Sequence, residues 1–263
     1  MKTVASFLPF PIRTFSILGL FIFISCQSQD NKSVDLGTLS DGFDVSGFYQ
    51  ERLKNTAKTI STDPKKLDKK TASELLDQPF FEKDTLGYYP SEGRFPTAQY
   101  LGSNHDWMTR NKKPTELFGY AYRTVAWSED KDTLAILNKV SFPKIDMTEN
   151  RNGNLAYLNV EKTSKNKEDY SRILEYLKKN CKPIAVDHGD ADTTYWENSS
   201  SFYSLSNEEK KEEVSSYDLQ GNKNSKWVNI TEIRLEIYQK SYVTDMEKLN
   251  MYSPGQIFWK KPF

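Results

Sequence analysis

The chain has 263 residues, and its 36 basic and 36 acidic side chains balance, so a strongly basic nucleic-acid-binding surface is not indicated. Aromatic side chains make up 13% of it and are spread along its length, too many for a disordered protein. They imply a real core in one sizeable domain or two small ones.

Lys2 and Arg13 are the only charged side chains among the first 25 residues, and residues 14–25 form an uncharged run. A charged start followed by an apolar core of this length is the layout of a secretory signal. A spanning helix needs roughly 20 predominantly apolar residues, and extending this run backwards meets Arg13, Pro11 and Pro9. The run ends in Phe23-Ile24-Ser25-Cys26, which resembles the lipobox of bacterial lipoproteins, with Phe23 where Leu is usual. The resemblance implies that residues 1–25 are a signal peptide and that Cys26, acylated with palmitate-type chains, becomes the first residue of the mature protein. The membrane would then be a partner through the N-terminal lipid, since two acyl chains already give stable anchoring. Gln27 after the cysteine resembles lipoproteins sorted to the outer membrane, with the domain facing the periplasm. With Cys26 consumed, Cys181 is alone and no internal disulfide forms in the mature monomer. The bland reading of Cys181 is a small, buried apolar side chain.

Residues 26–45 are polar, include Gly37 and Gly42, and read as a flexible tether. That leaves 46–263 as one globular domain with a helical lead-in over 46–79. Tyr49, Leu53, Ala57 and Ile60 fall at helical steps, and Thr71-Ala72-Ser73-Glu74 has the form of a capping box starting a second, short helix. Prolines, glycines and aromatics crowd residues 80–114, which predicts an irregular segment holding short strands. Phe118, Tyr120 and Tyr122 alternate towards Trp127, and Leu134, Ile136, Val140 and Phe142 share one parity after the polar turn 128–132. Together they predict a β-hairpin, with a third strand over 155–160 entered through Asn152-Gly153-Asn154.

Tyr170, Ile173, Leu174 and Leu177 mark the clearest amphipathic helix, stopped by Asn180 and Pro183. Residues 195–196 and 202–205 predict a second hairpin around Asn198-Ser199-Ser200. Residues 207–226 read as a solvated excursion. The longest strand is expected over 227–243, its shift of apolar parity placing a β-bulge near Thr231. This order predicts an α+β fold: a largely antiparallel β-sheet with a packed amphipathic helix, preceded by a short helical segment. The stretch 170–205, a helix running into Lys182-Pro183 and a Tyr-Trp hairpin, is similar to small uncharacterised exported lipoproteins, a likeness that implies no activity.

Motifs that carry chemistry are sparse. Asp187, His188, Asp190 and Asp192 are candidate metal ligands, because alternate carboxylates suit Ca²⁺ and a histidine suits Zn²⁺. Gly189 and Ala191 break the EF-hand spacing, and a polar turn explains the same letters, so no metal or cofactor is expected. His105-Asp106 offers part of a catalytic pair, but His188 is the one other histidine. No nucleophile elbow, His-Glu-x-x-His pair, Walker loop or paired-cysteine motif is present, while a carboxylate-only glycosidase would leave no motif at all. Tyr88, Tyr89, Trp107, Tyr195 and Trp196 are candidate binding residues, able to stack on sugars or to anchor a protein contact, and equally good in a sheet core. The expected function is a non-enzymatic, lipid-anchored envelope protein that binds another protein. The alternative is a glycan-binding or glycan-processing envelope lipoprotein.

Overall fold

The computed structural model describes residues 33–63, 68–91, 99–103, 106, 109, 111–187, 189–217 and 223–260. Residues 1–32, with Cys26, lie outside the described residues, as do His105, Trp107 and His188.

The domain begins earlier than its composition predicts. β1 (Val34–Asp35) pairs in parallel with β5 (Ala135–Leu137), which in turn pairs with β6 (Val140–Phe142) to make a three-stranded sheet. Val34 and Leu36 are buried, so the expected tether is already packed from residue 34 onwards. Asp44 then caps α1 (Val45–Ser61), its carboxylate accepting a 2.8 Å hydrogen bond from the Gly47 amide. The helix buries Val45, Phe48, Tyr49 and Thr56, whereas Ile60, expected on the inner stripe, is 74% exposed. α2 (Lys69–Leu76) starts from Asp68 rather than Thr71. The Asp68 carboxylate accepts from the amides of Lys70 and Thr71 and from the Thr71 hydroxyl, so Thr71 sits in the first turn as a donor and not as the cap.

The main sheet is built from β2 (Phe80–Pro90), β3 (Gln99–Ser103), β4 (Glu116–Ala126), β7 (Lys144–Asn150), β8 (Leu155–Ser164), β9 (Lys182–Ile184), β10 (Thr193–Glu197), β11 (Ser201–Tyr217), β12 (Lys223–Gln239) and β13 (Met251–Tyr252). Their order is β13-β3-β2-β4-β7-β8-β12-β11-β10-β9, antiparallel throughout except for β13 beside β3. The fold therefore mixes helix and strand around a mostly antiparallel sheet, with short helices before it. α3 (Glu168–Asn180) is the predicted amphipathic helix, burying Ile173 and Leu177. Pro183 falls in β9, where a sheet edge tolerates its missing N–H. The β10–β11 hairpin also forms as read, with Trp196 opposite Tyr203. α4 (Lys240–Lys248) follows β12 directly. Among the described residues no helix is long and apolar enough to cross a membrane.

Four further expectations change. Residues 80–90 are a long strand and not an irregular segment; register shifts at Phe80/Phe81 and Leu86/Gly87 break the alternation that would have revealed it. β4 does not form a hairpin with residues 134–142. It pairs with β2 and β7, and the polar turn instead delivers the chain to the small sheet. The stretch 207–226 is solvent-exposed as read, but its described residues are paired strand: β11 and β12 pair without interruption from Ser201–Gln239 out to Tyr217–Lys223. That register has no bulge at Thr231. The parity shift arises because β8 ends there, opposite Ser164, so Val228 and Ile230 lie beyond the three-stranded region that sets an inward face.

Side chains alternate along each strand, so the register assigns every residue to a face. One face carries the larger core, with Phe48 and Tyr49 of α1, Ile173 and Leu177 of α3, and Phe142 of the small sheet packed on Tyr122, Ile145, Leu158 and Leu235. The second face is covered at one end by Tyr242, Val243 and Met246 of α4 and by Phe258, which pack on Leu86, Ala121 and Tyr238.

Candidate functional site

Beyond the α4 cover, the second face turns polar in successive transverse rows of paired residues. Thr148, Tyr157, Tyr238 and Phe202 form the covered row. Tyr157 stacks on Tyr238 with ring centres 4.8 Å apart, and Phe202 stacks on Phe258 at 4.7 Å. Next come Asp146, Asn159, Glu236, Ser204 and Tyr195, then Lys144, Glu161, Arg234, Ser206 and Thr193. The last row, Thr163, Glu232 and Glu208, leads to the outer half of the β11–β12 hairpin.

Two cavities open on these rows. The larger, about 500 Å³, runs past Trp127, Glu161, Arg234, Asp190 and Asp192. The smaller, about 270 Å³, has Arg123, Asp146 and Thr148 on the sheet, with Leu101, Tyr157 and Tyr242 around them.

Ion pairs tie the charged rows together. Lys144 Nζ lies 2.7 Å from Glu161 and 3.9 Å from Asp146, and stands over the Trp127 ring at 4.9 Å. Arg234 approaches the other Glu161 oxygen at 3.0 Å, and Asn159 Nδ2 donates to that oxygen at 2.9 Å. Burial works against ionisation of Glu161, but the pull of Lys144, Asn159 and Arg234 outweighs it and holds the carboxyl below its usual range. Asp146 goes the other way. Burial raises its carboxyl above the ordinary value, against the Thr124 amide, which donates to Oδ1 at 2.8 Å, and against Lys144 and Arg123. Asn159 is 7% exposed, and its Oδ1 has no hydrogen-bond partner among the described residues.

The predicted site residues are dispersed. Tyr89 is buried against Tyr100, and Trp196 is buried in the larger core with its Nε1 donating to Thr194 at 3.1 Å. Tyr88 packs half-buried on Phe118. Among the described aromatic candidates only Tyr195 belongs to the polar face, its ring on Phe258 and its hydroxyl accepting from the Asp190 amide. Asp187, Asp190 and Asp192 are exposed, and among the described residues no three His, Cys, Asp or Glu side chains gather as a metal ion needs. Cys181 is half-buried, and burial pushes its thiol up to about 11, far from a reactive thiolate.

Sequence reading missed Asp146, Asn159, Glu161 and Arg234. Their signal was present as polar residues at every second position, Lys144 and Asp146, Asn159 and Glu161, Arg234 and Glu236, but β7 was not read as a strand, and β8 and β12 were read for their apolar parity. No family model matches this chain, and no curated protein or solved structure shows detectable similarity to it.

Proposed function

We propose that this chain is a lipid-anchored envelope protein that binds another protein, using the outer half of the β11–β12 hairpin as its contact arm. The observation carrying this reading is that the arm continues past its neighbours. β10 ends opposite Ser206 and β8 ends opposite Thr231, yet pairing runs on to Tyr217–Lys223. Eleven further residues on β11 at about 3.4 Å each reach roughly 35 Å. A bare two-stranded ribbon is marginal in water, so its length calls for a use. Trp227 stands on it 68% exposed, the kind of residue that anchors interfaces. The run Glu208-Glu209-Lys210-Lys211-Glu212-Glu213 guards the open edge against indiscriminate strand pairing. The lipobox-like segment ending in Cys26 supplies the anchor.

The test is cross-linking in intact cells carrying the tagged full chain, followed by recovery under denaturing conditions. One dominant protein is expected, and its recovery should fall when the arm is shortened to a tight turn joining the paired residues Glu209 and Thr231. Recovery of polysaccharide, or of the same proteins with and without the arm, overturns the reading. Polysaccharide would favour a glycan-binding role, for which the support is Trp127 beside the carboxylate-lined larger cavity.

A further inference from the structure

The two edges of the arm differ. The Lys240 amide donates to the Ser200 carbonyl at 2.8 Å, next to the paired Ser201 and Gln239. Even-numbered residues of β12 therefore aim their backbone N–H and C=O at β11, and odd-numbered ones aim theirs at the β8 side. β8 fills that side only as far as Ser164, opposite Thr231, before the chain turns away into α3. Past it the outward backbone groups of Asn229, Trp227, Ser225 and Lys223 meet no strand among the described residues. The open edge over residues 223–230 is roughly 27 Å long.

Charge separates the edges further. On β11 the outward residues Glu209, Lys211 and Glu213 alternate in sign, whereas from 223 to 230 the only charged side chains are Lys223 and Lys226. A cavity of about 210 Å³ opens where β8 leaves off, bordered by Asn229, Ile230 and Thr231 of β12 and by Lys165 and Lys167 just after Ser164. Glu209, Lys210 and Lys211 complete its rim. Lys210 is held by Glu208 at 2.9 Å and Glu232 at 2.7 Å, but Lys165, Lys167 and Lys211 have no ion-pair partner among the described residues.

Unfilled backbone groups along one edge and unpaired ammonium groups at its inner end make two demands on one ligand. An extended peptide meets both, with its own N–H and C=O groups for the ladder and carboxylates for the lysines. A small anion would meet the lysines and leave the edge open. A second copy of the same edge would set lysines against lysines.

We propose that the partner protein adds an extended strand bearing Asp or Glu side chains to the β12 edge of the arm, in the lane that β8 leaves at Ser164. This rests on the protein-binding reading above and assigns the edge and the chemistry of the contact.

The full chain, carrying a photo-reactive phenylalanine analogue at position 225 or 229, would be irradiated in intact cells and its adducts mapped by mass spectrometry. Both positions should attach to one partner segment containing Asp or Glu, at points about four residues apart. Ser225→Pro and Asn229→Pro remove only an outward N–H and should lower recovery of the cross-linked partner at least tenfold at unchanged Tm. Ser215→Pro, directly opposite Ser225 but open to the other edge, should leave recovery unchanged. Lys165→Glu combined with Lys211→Glu, both exposed, should also lower it at least tenfold, and decides the matter if the proline variants fail to fold. Attachments scattered over the partner, adducts with a second copy of this chain, equal loss with Ser215→Pro, or full recovery with the proline or charge-reversed variants overturns the proposal. A partner still captured through the arm in those cases leaves the protein-binding reading standing. The absence of any protein adduct sinks that reading and the strand contact with it.

Discussion

The hydroxyl of Tyr49, in the first helix, donates a 2.8 Å hydrogen bond to the carbonyl of Ile145, 96 residues further along. The ring itself is fully buried and stacks on Tyr122 at 4.8 Å. This pairing pins α1 to the middle of the sheet and makes it part of the core. Burial raises the phenol well above its ordinary value, so it stays a donor at any working pH.

Replacing this tyrosine separates its two contributions. Tyr49→Phe removes only the donor, and the Ile145 carbonyl keeps the Thr124 hydroxyl at 2.6 Å, so the loss should be about 1 kcal/mol. Tyr49→Ala also opens a cavity and should cost about 3–5 kcal/mol. Urea midpoints, compared at unchanged slope, measure both.

The turn between β5 and β6 offers a gain. Asn138 and Lys139 separate the paired residues Leu137 and Val140, and both have positive φ, 46° and 69°. A two-residue hairpin of this kind favours glycine in the second place, because a side chain there crowds the backbone. Asn138 also fixes the loop by donating to the Arg172 carbonyl at 2.8 Å. Lys139→Gly, at an exposed position, should therefore stabilise the protein by about 0.5–1 kcal/mol and raise Tm by roughly 2–4 °C per kcal/mol. Unchanged or lower Tm by calorimetry would show that the crowding is negligible.

What the sequence disclosed follows from how each element earns its stability. α3 was legible because one helical stripe, Ile173 and Leu177, is buried and the opposite face is wet. The β10–β11 hairpin was legible because Asn198 holds its turn through local bonds to Ser200 and Ser201. The arm was not, because neither of its faces meets a core, and without burial there is no alternation to read. The parity of Phe118, Tyr120 and Tyr122 announced a strand correctly but carried no information about partners, so β4 was given a neighbour in sequence in place of β2 and β7. The polar face was hidden for a related reason: its charges come from strands far apart in sequence and become a site only through the register.

The arm should tolerate change that the sheet does not. Trp227 is opposite Glu213 and beyond the last residue paired to β8. Trp227→Ser should alter stability by no more than about 0.5 kcal/mol, as for other exposed positions. Leu235→Ser, eight positions along the same strand in the fully buried core, should be strongly destabilising. If the arm is the contact surface, the first variant loses cross-linked partner at undiminished Tm. A large fall in Tm for Trp227→Ser would mean that the side chain supports the fold.

Asp146 makes the link between stability and protonation measurable. A carboxyl whose folded pKa is raised binds its proton more tightly in the folded state than in the unfolded one. The stability it contributes is complete below the unfolded value and disappears as pH rises through the folded value. The groups facing it set where that happens: Lys144 and Arg123 ease ionisation, Glu161 opposes it, and burial dominates. At neutral pH the ionised side chain should thus weaken the fold, and Asp146→Asn, whose amide oxygen still accepts from the Thr124 amide, should raise the denaturant midpoint. That advantage should shrink as the pH is lowered from neutrality towards the ordinary carboxylate range, where the native residue regains its proton. Equal destabilisation by the variant at both ends of the range would mean that Asp146 serves the fold through its local bonds alone.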